Sequence, residues 1–216
     1  MPLNLPPPPL SYLITSGKTT PATTPASEDF RRILALVAAA VRERVSLVQL
    51  REKKLSTRSL FQLTTEAVKI TRGTQTRLLV NDRPDIARAA RADGVHLTTR
   101  SLSPAVVRRA FGSSLLIGAS THTLAEALAA QQGGADFAVF GPVFETPSKA
   151  AYGPPVGLEK LSEAAHALKP FPLLALGGIT RETAALALEQ GASGIAGIRL
   201  FSDARAIKLA IAALNP

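Results

Sequence analysis

A chain of 216 residues with 46% hydrophobic content can bury the core of one globular domain, and its lack of cysteine excludes disulfides, thiolate nucleophiles and zinc-thiolate sites. The formal net charge of +9 is spread over arginines along the helices without an aromatic stripe, which argues against nucleic acid as a partner and favours anionic small molecules or simply a charged surface. The apolar runs are too short and too polar-flanked to span a bilayer, so no membrane association is expected and the cytoplasm is the default location.

Eight apolar runs of strand length recur along the chain, separated by segments with apolar residues at helical spacing, such as Phe30, Ile33 and Val37. The runs extend over Leu10 to Ile14, Val45 to Leu50, Arg77 to Val80, Gly94 to Leu97, Leu115 to Ala119, Phe137 to Phe140, Leu173 to Leu176 and Ile195 to Ile198. The alternation of strands and helices is typical of a parallel sheet. Eight such units in 216 residues predict an α/β fold, a single-domain (β/α)8 TIM barrel, rather than a doubly wound sheet.

Two segments near the start of the chain lack this regularity. Residues 1–9 contain the proline run Pro6 to Pro9 and are predicted to be a disordered leader, which leaves residues 10–216 for the barrel. Residues 16–27 follow the first strand and are rich in threonine, proline and alanine. We expect them to form a mobile first loop at the active-site mouth, because loops beyond the C-terminal ends of barrel strands surround the site.

The end of the second predicted strand carries polar side chains. Strand alternation would send Gln49, Arg51 and Lys53 to one side. Two cations and an amide together suit an anionic ligand such as a phosphate or a diphosphate. The alternative is a solvated strand end in which Arg51 pairs with Glu52.

The third predicted strand is followed by Asn81, Asp82, Arg83 and Pro84. Proline suits the first turn of a helix and asparagine or aspartate suits its cap, so capping explains one of the two polar residues. The other is expected to face the mouth, either as an amide bonded to a ring or as a carboxylate ligand of magnesium, which prefers oxygen ligands and bound phosphates.

Two of the three histidines lie at predicted strand ends. His122, which follows Ser120 and Thr121, is the natural acid or base for a small-molecule reaction near neutral pH. The alternative for His122 is a packing ring beside a helix capped by its hydroxyl neighbours. His96 lies inside an apolar run, where a role in the core competes with a catalytic one, and His166 is expected on a helix surface.

The loop after the sixth predicted strand is long and offers hydroxyl groups together with an ammonium group. Long loops at a site tend to be lids or ligand clamps, so Thr146, Ser148 and Lys149 are candidates for gripping a diphosphate. No lysine suited to a Schiff base is evident within the sixth or seventh strand, which argues against a phosphosugar aldolase.

The last two runs each meet glycines, at Gly177 and Gly178 after the seventh run and at Gly194 and Gly197 in the stretch around the eighth, which continues into Ile198 and Arg199. Glycine lets the backbone approach an anion closely, and the helix that follows directs unpaired N–H groups at the same spot. Two such turns side by side predict a phosphate site after strands seven and eight.

Six motifs occur in order along the chain. They are Gln49-Leu50-Arg51-Glu52-Lys53, Asn81-Asp82-Arg83, Asp93-Gly94-Val95-His96-Leu97, Ser120-Thr121-His122, Gly141-Pro142-Val143-Phe144-Glu145-Thr146-Pro147-Ser148-Lys149 and Gly177-Gly178-Ile179. Together they resemble the thiamine phosphate synthase and TenI family from Tyr12 to Phe201. The resemblance implies a (β/α)8 barrel in thiamine biosynthesis. Synthases of this family join a hydroxymethylpyrimidine diphosphate to a thiazole phosphate and release pyrophosphate with the help of magnesium, whereas TenI-type members aromatise the thiazole phosphate as tautomerases, without a metal.

Carried onto this sequence, the resemblance to synthases implies that the pyrimidine diphosphate contacts Gln49, Arg51, Lys53 and Asn81, and that magnesium binds Asp82. The synthase mechanism is dissociative. Stabilising the departing pyrophosphate and shielding a pyrimidine cation would therefore matter more than proton transfer.

The remaining implied contacts fall on the later strands. Contacts to the diphosphate, to the thiazole and to its phosphate are implied for Ser120, Thr146, Ser148, Lys149, Gly178, Ile198 and Arg199. In a TenI-like enzyme the proton carrier would be His122, and Lys149 is the second catalytic candidate.

Three departures from the synthase pattern favour the TenI-like alternative. Ser101 stands where synthases typically carry a second metal-binding aspartate, and this hydroxyl, together with the positive charge of Arg100, should weaken magnesium binding. Arg199 replaces the phosphate-binding serine, and residues 100–104 look closer to TenI-type sequences. The sequence therefore leans slightly to a TenI-like thiazole tautomerase. An authentic magnesium-dependent synthase, or a non-catalytic protein that binds thiazole or thiamine phosphate, is the alternative, and homo-oligomer formation stays open.

Overall fold

Eight parallel strands close into a barrel in the computed structural model, which describes residues 5–146 and 154–214. The strands are β1 Leu10–Ile14, β2 Leu47–Leu50, β3 Arg77–Asn81, β4 Gly94–Leu97, β5 Leu116–Thr121, β6 Phe137–Phe140, β7 Leu173–Leu176 and β8 Gly194–Gly197. The helices that follow them in turn are α1 Glu28–Arg42, α2 Thr57–Thr71, α3 Pro84–Ala90, α4 Pro104–Phe111, α5 Leu124–Gln132, α6 Gly157–Leu168, α7 Arg181–Glu189 and α8 Ala204–Leu214. Neighbouring strands pair in chain order and β8 pairs with β1, which confirms the predicted (β/α)8 TIM barrel.

Three strands end at residues other than those predicted. β3 continues through Asn81 and β5 through Thr121, each still paired with its neighbour. Polar residues extend these strands at the C-terminal edge because ladder pairing depends on the backbone and not on the polarity of the side chain. Ile198, predicted to end the eighth strand, instead adopts helical backbone angles before a short 3-10 turn over Arg199–Phe201.

The inside of the barrel is filled by side chains. One cluster of buried residues lies within the ring of strands: Leu10, Tyr12, Ile14, Leu47, Leu79, Phe137, Val139, Leu174 and Ala196. Leu5 of the leader packs against this cluster, and a larger cluster fills the layer between strands and helices. Because the centre is packed, the C-terminal mouth is the place for a ligand in this fold. Within the described ranges, none of the helices is long and apolar enough to cross a membrane.

The start of α3 differs from its predicted capping. Pro84 takes the first helical position, as expected, but the cap residue is Arg83, whose side chain makes no capping bond. The prediction that Asn81 or Asp82 caps this helix is therefore wrong. Asn81 still belongs to β3, and Asp82 lies one residue before the cap with a left-handed backbone (φ 56°). Neither polar side chain is used by the helix.

The N-terminal face of the barrel is held by two equivalent aspartates. Asp93 Oδ2 accepts a hydrogen bond of 2.8 Å from the N–H of Leu78, and Asp136 Oδ2 accepts one of 2.6 Å from the N–H of Ile117. Each aspartate directly precedes one strand, and its carboxylate binds the strand before it, β3 for Asp93 and β5 for Asp136. Contacts at this end of a TIM barrel serve stability, which leaves the opposite end for the site.

Candidate active site

An amide pair from neighbouring strands lines the C-terminal mouth. Gln49 is 1% exposed, and its Nε2 donates a hydrogen bond of 3.1 Å to Oδ1 of Asn81. This bond leaves the Gln49 oxygen as an acceptor and the Asn81 amide nitrogen as a donor. The pair can therefore recognise the polar edge of a heterocycle.

Two cations reach the mouth from a loop and not from a strand. β2 ends at Leu50, so the expected alternation along one strand face does not continue to Arg51 and Lys53. Arg51 is half-buried and Lys53 is exposed. The N–H of Arg51 donates to Thr15 Oγ1 over 2.8 Å, and a Cβ on Gly17 would lie only 3.2 Å from the Arg51 Nη1 atom. The guanidinium is therefore held against the first βα loop.

Glu52 does not pair with Arg51. Its side chain is 3% exposed and accepts hydrogen bonds from residues 15–19, the shortest being 2.6 Å from Thr15 Oγ1. The alternative interpretation of a solvated Arg51–Glu52 pair is therefore wrong. Part of the loop predicted to be mobile is bound to this carboxylate through Thr19.

His96 lies in the centre of the barrel as a neutral ring. Its Nε2 lies 2.9 Å from Ser120 Oγ, and its ring packs against Tyr12 with centroids 5.6 Å apart. Burial, with a smaller contribution from the positive charge of Arg51, lowers the pKa of His96 to about 3. A ring with this pKa is not protonated near neutral pH, which favours a role in the barrel core over a catalytic one. The hydrogen bond between the ring and Ser120 also holds the Ser120 side chain in place.

His122 is oriented by its ring and by its backbone. The ring Nδ1 is hydrogen-bonded to the carbonyl oxygen of Gly141, and the backbone N–H donates to Glu126 Oε2 over 2.6 Å. A carbonyl oxygen only accepts, so Nδ1 carries a proton and Nε2 is the basic nitrogen of the neutral ring. The cap of α5 is Thr123, a hydroxyl neighbour of His122, as the alternative interpretation of His122 expects. The geometry of His122 suits a proton carrier.

The two glycines after β7 are required by close packing. Gly177 and Gly178 have φ values of 96° and 65°. A Cβ on Gly177 would lie 2.5 Å from the Cβ of Pro142, and a Cβ on Gly178 would lie 2.5 Å from the carbonyl oxygen of Glu145. The N–H of Phe144 also donates to the Gly177 carbonyl over 3.0 Å. These glycines therefore let the loop after β6 pack closely against the end of β7. Gly178 is also expected to contribute to a phosphate site.

The N-terminus of α7, just beyond these glycines, is already partly capped. Thr180 and Thr183 form a capping box in which each backbone N–H donates to the other hydroxyl, over 2.9 Å and 3.2 Å. A phosphate at this corner would have to use the remaining N–H groups around Gly178.

Arg199 crosses from the end of β8 to the loop after β6. Its Nη2 donates to Thr146 Oγ1 over 3.0 Å, and both side chains lie at the surface of the mouth. Ile198, the other residue predicted here, is 37% exposed. The remaining predicted clamp residues, Ser148 and Lys149, lie outside the described residues.

Asp82, the predicted magnesium ligand, directly follows the C-terminal end of β3. It is exposed, and its N–H donates to the carbonyl of His96 over 2.9 Å. Ser101 is engaged within its own turn, where its Oγ accepts from the N–H of Thr98 over 2.8 Å. Within residues 5–146 and 154–214, no group of three or more His, Cys, Asp or Glu could hold a metal. Magnesium commonly takes one or two carboxylates together with substrate phosphates, so the site fits an ion that arrives with a diphosphate and binds Asp82.

Several residues near the site were not identified from the sequence. Tyr12 fills the barrel centre next to His96, and its hydroxyl, like His96 Nδ1, is buried without a hydrogen-bond partner among the described residues. Burial raises the pKa of Tyr12 well above its ordinary value. Thr15 and Thr19 bind Glu52. Thr19 was considered only as part of the threonine-rich segment 16–27, and Thr15 lies directly before that segment.

The fold and these side chains define a (β/α)8 barrel whose mouth combines an amide pair with cations and a carboxylate, groups that suit phosphorylated ligands. A family model described as thiamine monophosphate synthase matches residues 20–201. The chain therefore belongs to the thiamine monophosphate synthase (TMP-TENI) family, which confirms the family, the enzymatic nature and the link to thiamine biosynthesis predicted from the motifs.

Two curated relatives and one solved structure resemble the chain over most of its length. A putative thiamine-phosphate synthase of Geobacter sulfurreducens is 48% identical over 166 residues, which are 77% of this chain and 78% of that protein. A thiamine-phosphate synthase of Chlorobium luteolum is 41% identical over 202 residues, 94% of this chain and 89% of that protein. The structure of a thiamine phosphate pyrophosphorylase from Pyrococcus furiosus has a TM-score of 0.80 at 28% identity and covers 95% of both chains. These names favour the synthase alternative over the tautomerase preferred from the sequence.

Proposed function

We propose that this protein is a thiamine-phosphate synthase, which joins a hydroxymethylpyrimidine diphosphate to a thiazole phosphate and releases pyrophosphate. The observation that carries the proposal is the Gln49–Asn81 amide pair at the mouth. This bond leaves an amide oxygen and an amide N–H of the pair as acceptor and donor, which match a pyrimidine edge that presents an amino group and a ring nitrogen. A tautomerase that acts on a thiazole phosphate alone binds no pyrimidine, so the pair favours the synthase.

The diphosphate is proposed to lie against the loop after β2. Arg51 is held there by Thr15 and Gly17, and Lys53 follows it on the same loop. Asp82 would hold the magnesium ion that the diphosphate carries. When bound, that ion would neutralise negative charge on the departing pyrophosphate.

The residues of the chain then act by orientation and electrostatics. In a dissociative reaction the bond to the diphosphate breaks first, so positive charge develops on the pyrimidine and negative charge on pyrophosphate. The amide pair orients the ring, and Arg51 stabilises the leaving group. His96 stays neutral because its pKa is about 3, so it adds no positive charge next to the developing cation.

The thiazole phosphate is proposed to bind between the ends of β7 and β8. The Gly178 turn, with Ile198 beyond β8, supplies backbone N–H groups there. Arg199 stands where a small serine is expected, and its bond to Thr146 keeps the guanidinium over this side of the mouth. We propose that Ser148 and Lys149 complete the contacts between the two phosphorylated substrates.

A second candidate function is thiazole tautomerisation, which the geometry of His122 favours. The bond from Nδ1 to the Gly141 carbonyl leaves Nε2 as a base, and this chemistry needs no metal. The amide pair and the Arg51 loop have no role in that reaction, so we place it second.

The test is to supply purified protein with both substrates, with and without magnesium, and to measure pyrophosphate. A synthase releases pyrophosphate only with both substrates and magnesium. Arg51→Ala should lower the rate about 100-fold, whereas Arg88→Ala, whose side chain bonds Ser114 at the surface, should not.

Proton exchange on the thiazole phosphate without pyrophosphate release, lost in His122→Ala, would instead identify a tautomerase. Saturable binding with neither activity would leave a non-catalytic binding protein.

A further inference from the structure

A buried carboxylate beside the site makes all its hydrogen bonds to one loop. Glu52 is 3% exposed. Its Oε1 accepts from Thr15 Oγ1 over 2.6 Å and from the N–H of Gly17 over 3.2 Å. Its Oε2 accepts from Thr19 Oγ1 over 2.8 Å and from the N–H of Thr19 over 3.4 Å. Both oxygens are thus occupied by residues 15–19, the segment that follows β1.

The same segment lies across the residue next to Glu52. Thr15 Oγ1 donates to Glu52 and accepts from the N–H of Arg51 over 2.8 Å. The N–H of Thr15 donates to the carbonyl of Gln49 over 3.0 Å. A Cβ on Gly17 (φ 69°) would lie 2.9 Å from the carbonyl oxygen of Arg51 and 3.2 Å from its Nη1. The loop therefore contacts Arg51 along both its backbone and its guanidinium.

We propose that Glu52 is a positioning residue that fastens residues 15–19 over Arg51 and thereby fixes the guanidinium that binds the diphosphate. This inference rests on the proposed function. Glu52 touches no substrate and acts through Arg51. A buried carboxylate with four hydrogen-bond donors, and with no ion pair among the residues that the structure describes, is the arrangement expected of a group that holds a backbone segment in place.

A purely structural role for Glu52 makes a different prediction. Loss of a buried, hydrogen-bonded carboxylate lowers the stability of the barrel whatever residue stands at position 51. A positioning role also weakens diphosphate binding, and it does so only while Arg51 is present. The two roles therefore differ in whether the effects of the two residues add.

The experiment is a double-mutant cycle with Glu52→Ala, Arg51→Ala and the double variant. The KM for the pyrimidine diphosphate and kcat are measured with saturating magnesium and thiazole phosphate, and the Kd of inorganic pyrophosphate is measured by calorimetry. We expect Glu52→Ala to raise KM and Kd by about tenfold or more with a smaller change in kcat, since small misplacements of a binding group have large effects. In the Arg51→Ala background the same change should alter both by less than about twofold.

Two further variants keep the test decisive if Glu52→Ala folds poorly. Thr19→Val removes one donor and keeps the carboxylate, so it should raise the Kd of pyrophosphate by a smaller factor, and Thr19→Ser should restore it. Glu66→Gln is the matched control, because Glu66 lies on α2 in an exposed pair with Lys69.

Several results would overturn the inference. Effects of Glu52→Ala and Arg51→Ala that add in the double variant would show a structural role only. A wild-type protein that does not bind pyrophosphate would also overturn it, because Arg51 would then hold no such anion. If wild-type protein binds pyrophosphate in the Glu52-dependent manner described but forms no thiamine phosphate, the inference stands and the proposed function fails.

Discussion

Replacing Gly178 by alanine should destabilise the barrel where the loop after β6 crosses the end of β7. The left-handed backbone of Gly178 (φ 65°) costs an alanine about 1–2 kcal/mol. The new Cβ would also lie 2.5 Å from the carbonyl oxygen of Glu145 and 2.6 Å from the Cβ of Phe144, and overpacking of this kind costs about 1–3 kcal/mol. We therefore expect the free energy of unfolding to fall by about 2–5 kcal/mol.

Gly73→Ala is the matched control for this prediction. Gly73 has a similar φ of 76°, but a Cβ there would meet nothing within 4 Å, so only the backbone term applies. Urea unfolding of the two variants should therefore show a loss for Gly178→Ala that is larger by about 1–3 kcal/mol, with equal m-values.

The same substitution should also separate the two substrates. The Gly178 turn is proposed to hold the thiazole phosphate, so KM for this substrate should rise more in Gly178→Ala than KM for the pyrimidine diphosphate. Equal losses of stability in Gly178→Ala and Gly73→Ala would refute the packing argument. A uniform change in both KM values would refute the placement of the phosphate.

Three further predictions concern buried or charged groups. Tyr12→Phe removes a hydroxyl that is buried without a partner among the described residues, so the free energy of unfolding should rise by about 1 kcal/mol. A fall of that size in the free energy of unfolding, measured by urea denaturation, would contradict this prediction. The His96 ring should show no protonation by NMR between about pH 8 and about pH 5, because burial lowers its pKa from 6.5 to about 3. The contribution of the neutral His96 ring to stability should thus be complete above pH 6.5 and be lost as the pH falls towards 3. A titration midpoint near 6.5 for His96 in the folded protein would show that the ring is solvated. Asp82→Asn should raise the magnesium concentration for half-maximal pyrophosphate release by about tenfold. Asp85→Asn on α3 is the control and should leave this concentration unchanged. Equal responses of the two variants would argue against Asp82 as the magnesium ligand.

The barrel was predictable because each strand is buried on both faces and stands out as an apolar run. β1, β4, β6 and β7 have the bounds that the runs predict. The C-terminal ends of β3 and β5 were not predictable in this way, since Asn81 and Thr121 are polar but still pair through their backbones. The predicted cap of α3 was wrong for a related reason, because Asn81 still belongs to β3 and Arg83, directly before Pro84, is the cap residue.

The candidate site was predictable where polar residues end a strand, as at Gln49 and Asn81. It was not predictable where a side chain bonds a distant loop. The hydrogen bonds of Glu52 join residues 33 to 37 positions apart in the chain, and they exist because closing the barrel brings the ends of β1 and β2 together. Local sequence suggested Arg51 as its partner, since the two are adjacent.

The use of Glu52 has a consequence for the electrostatics of the mouth. The Glu52 carboxylate could form a direct ion pair with the adjacent Arg51, but its oxygens accept hydrogen bonds from residues 15–19 instead. Among the described residues, Arg51 takes part in no ion pair. Its charge reaches into the barrel far enough to lower the pKa of His96, which burial already depresses. The mouth therefore keeps a fixed cation for an anionic group, while the ring beneath it stays neutral where a second positive charge would oppose a developing cation.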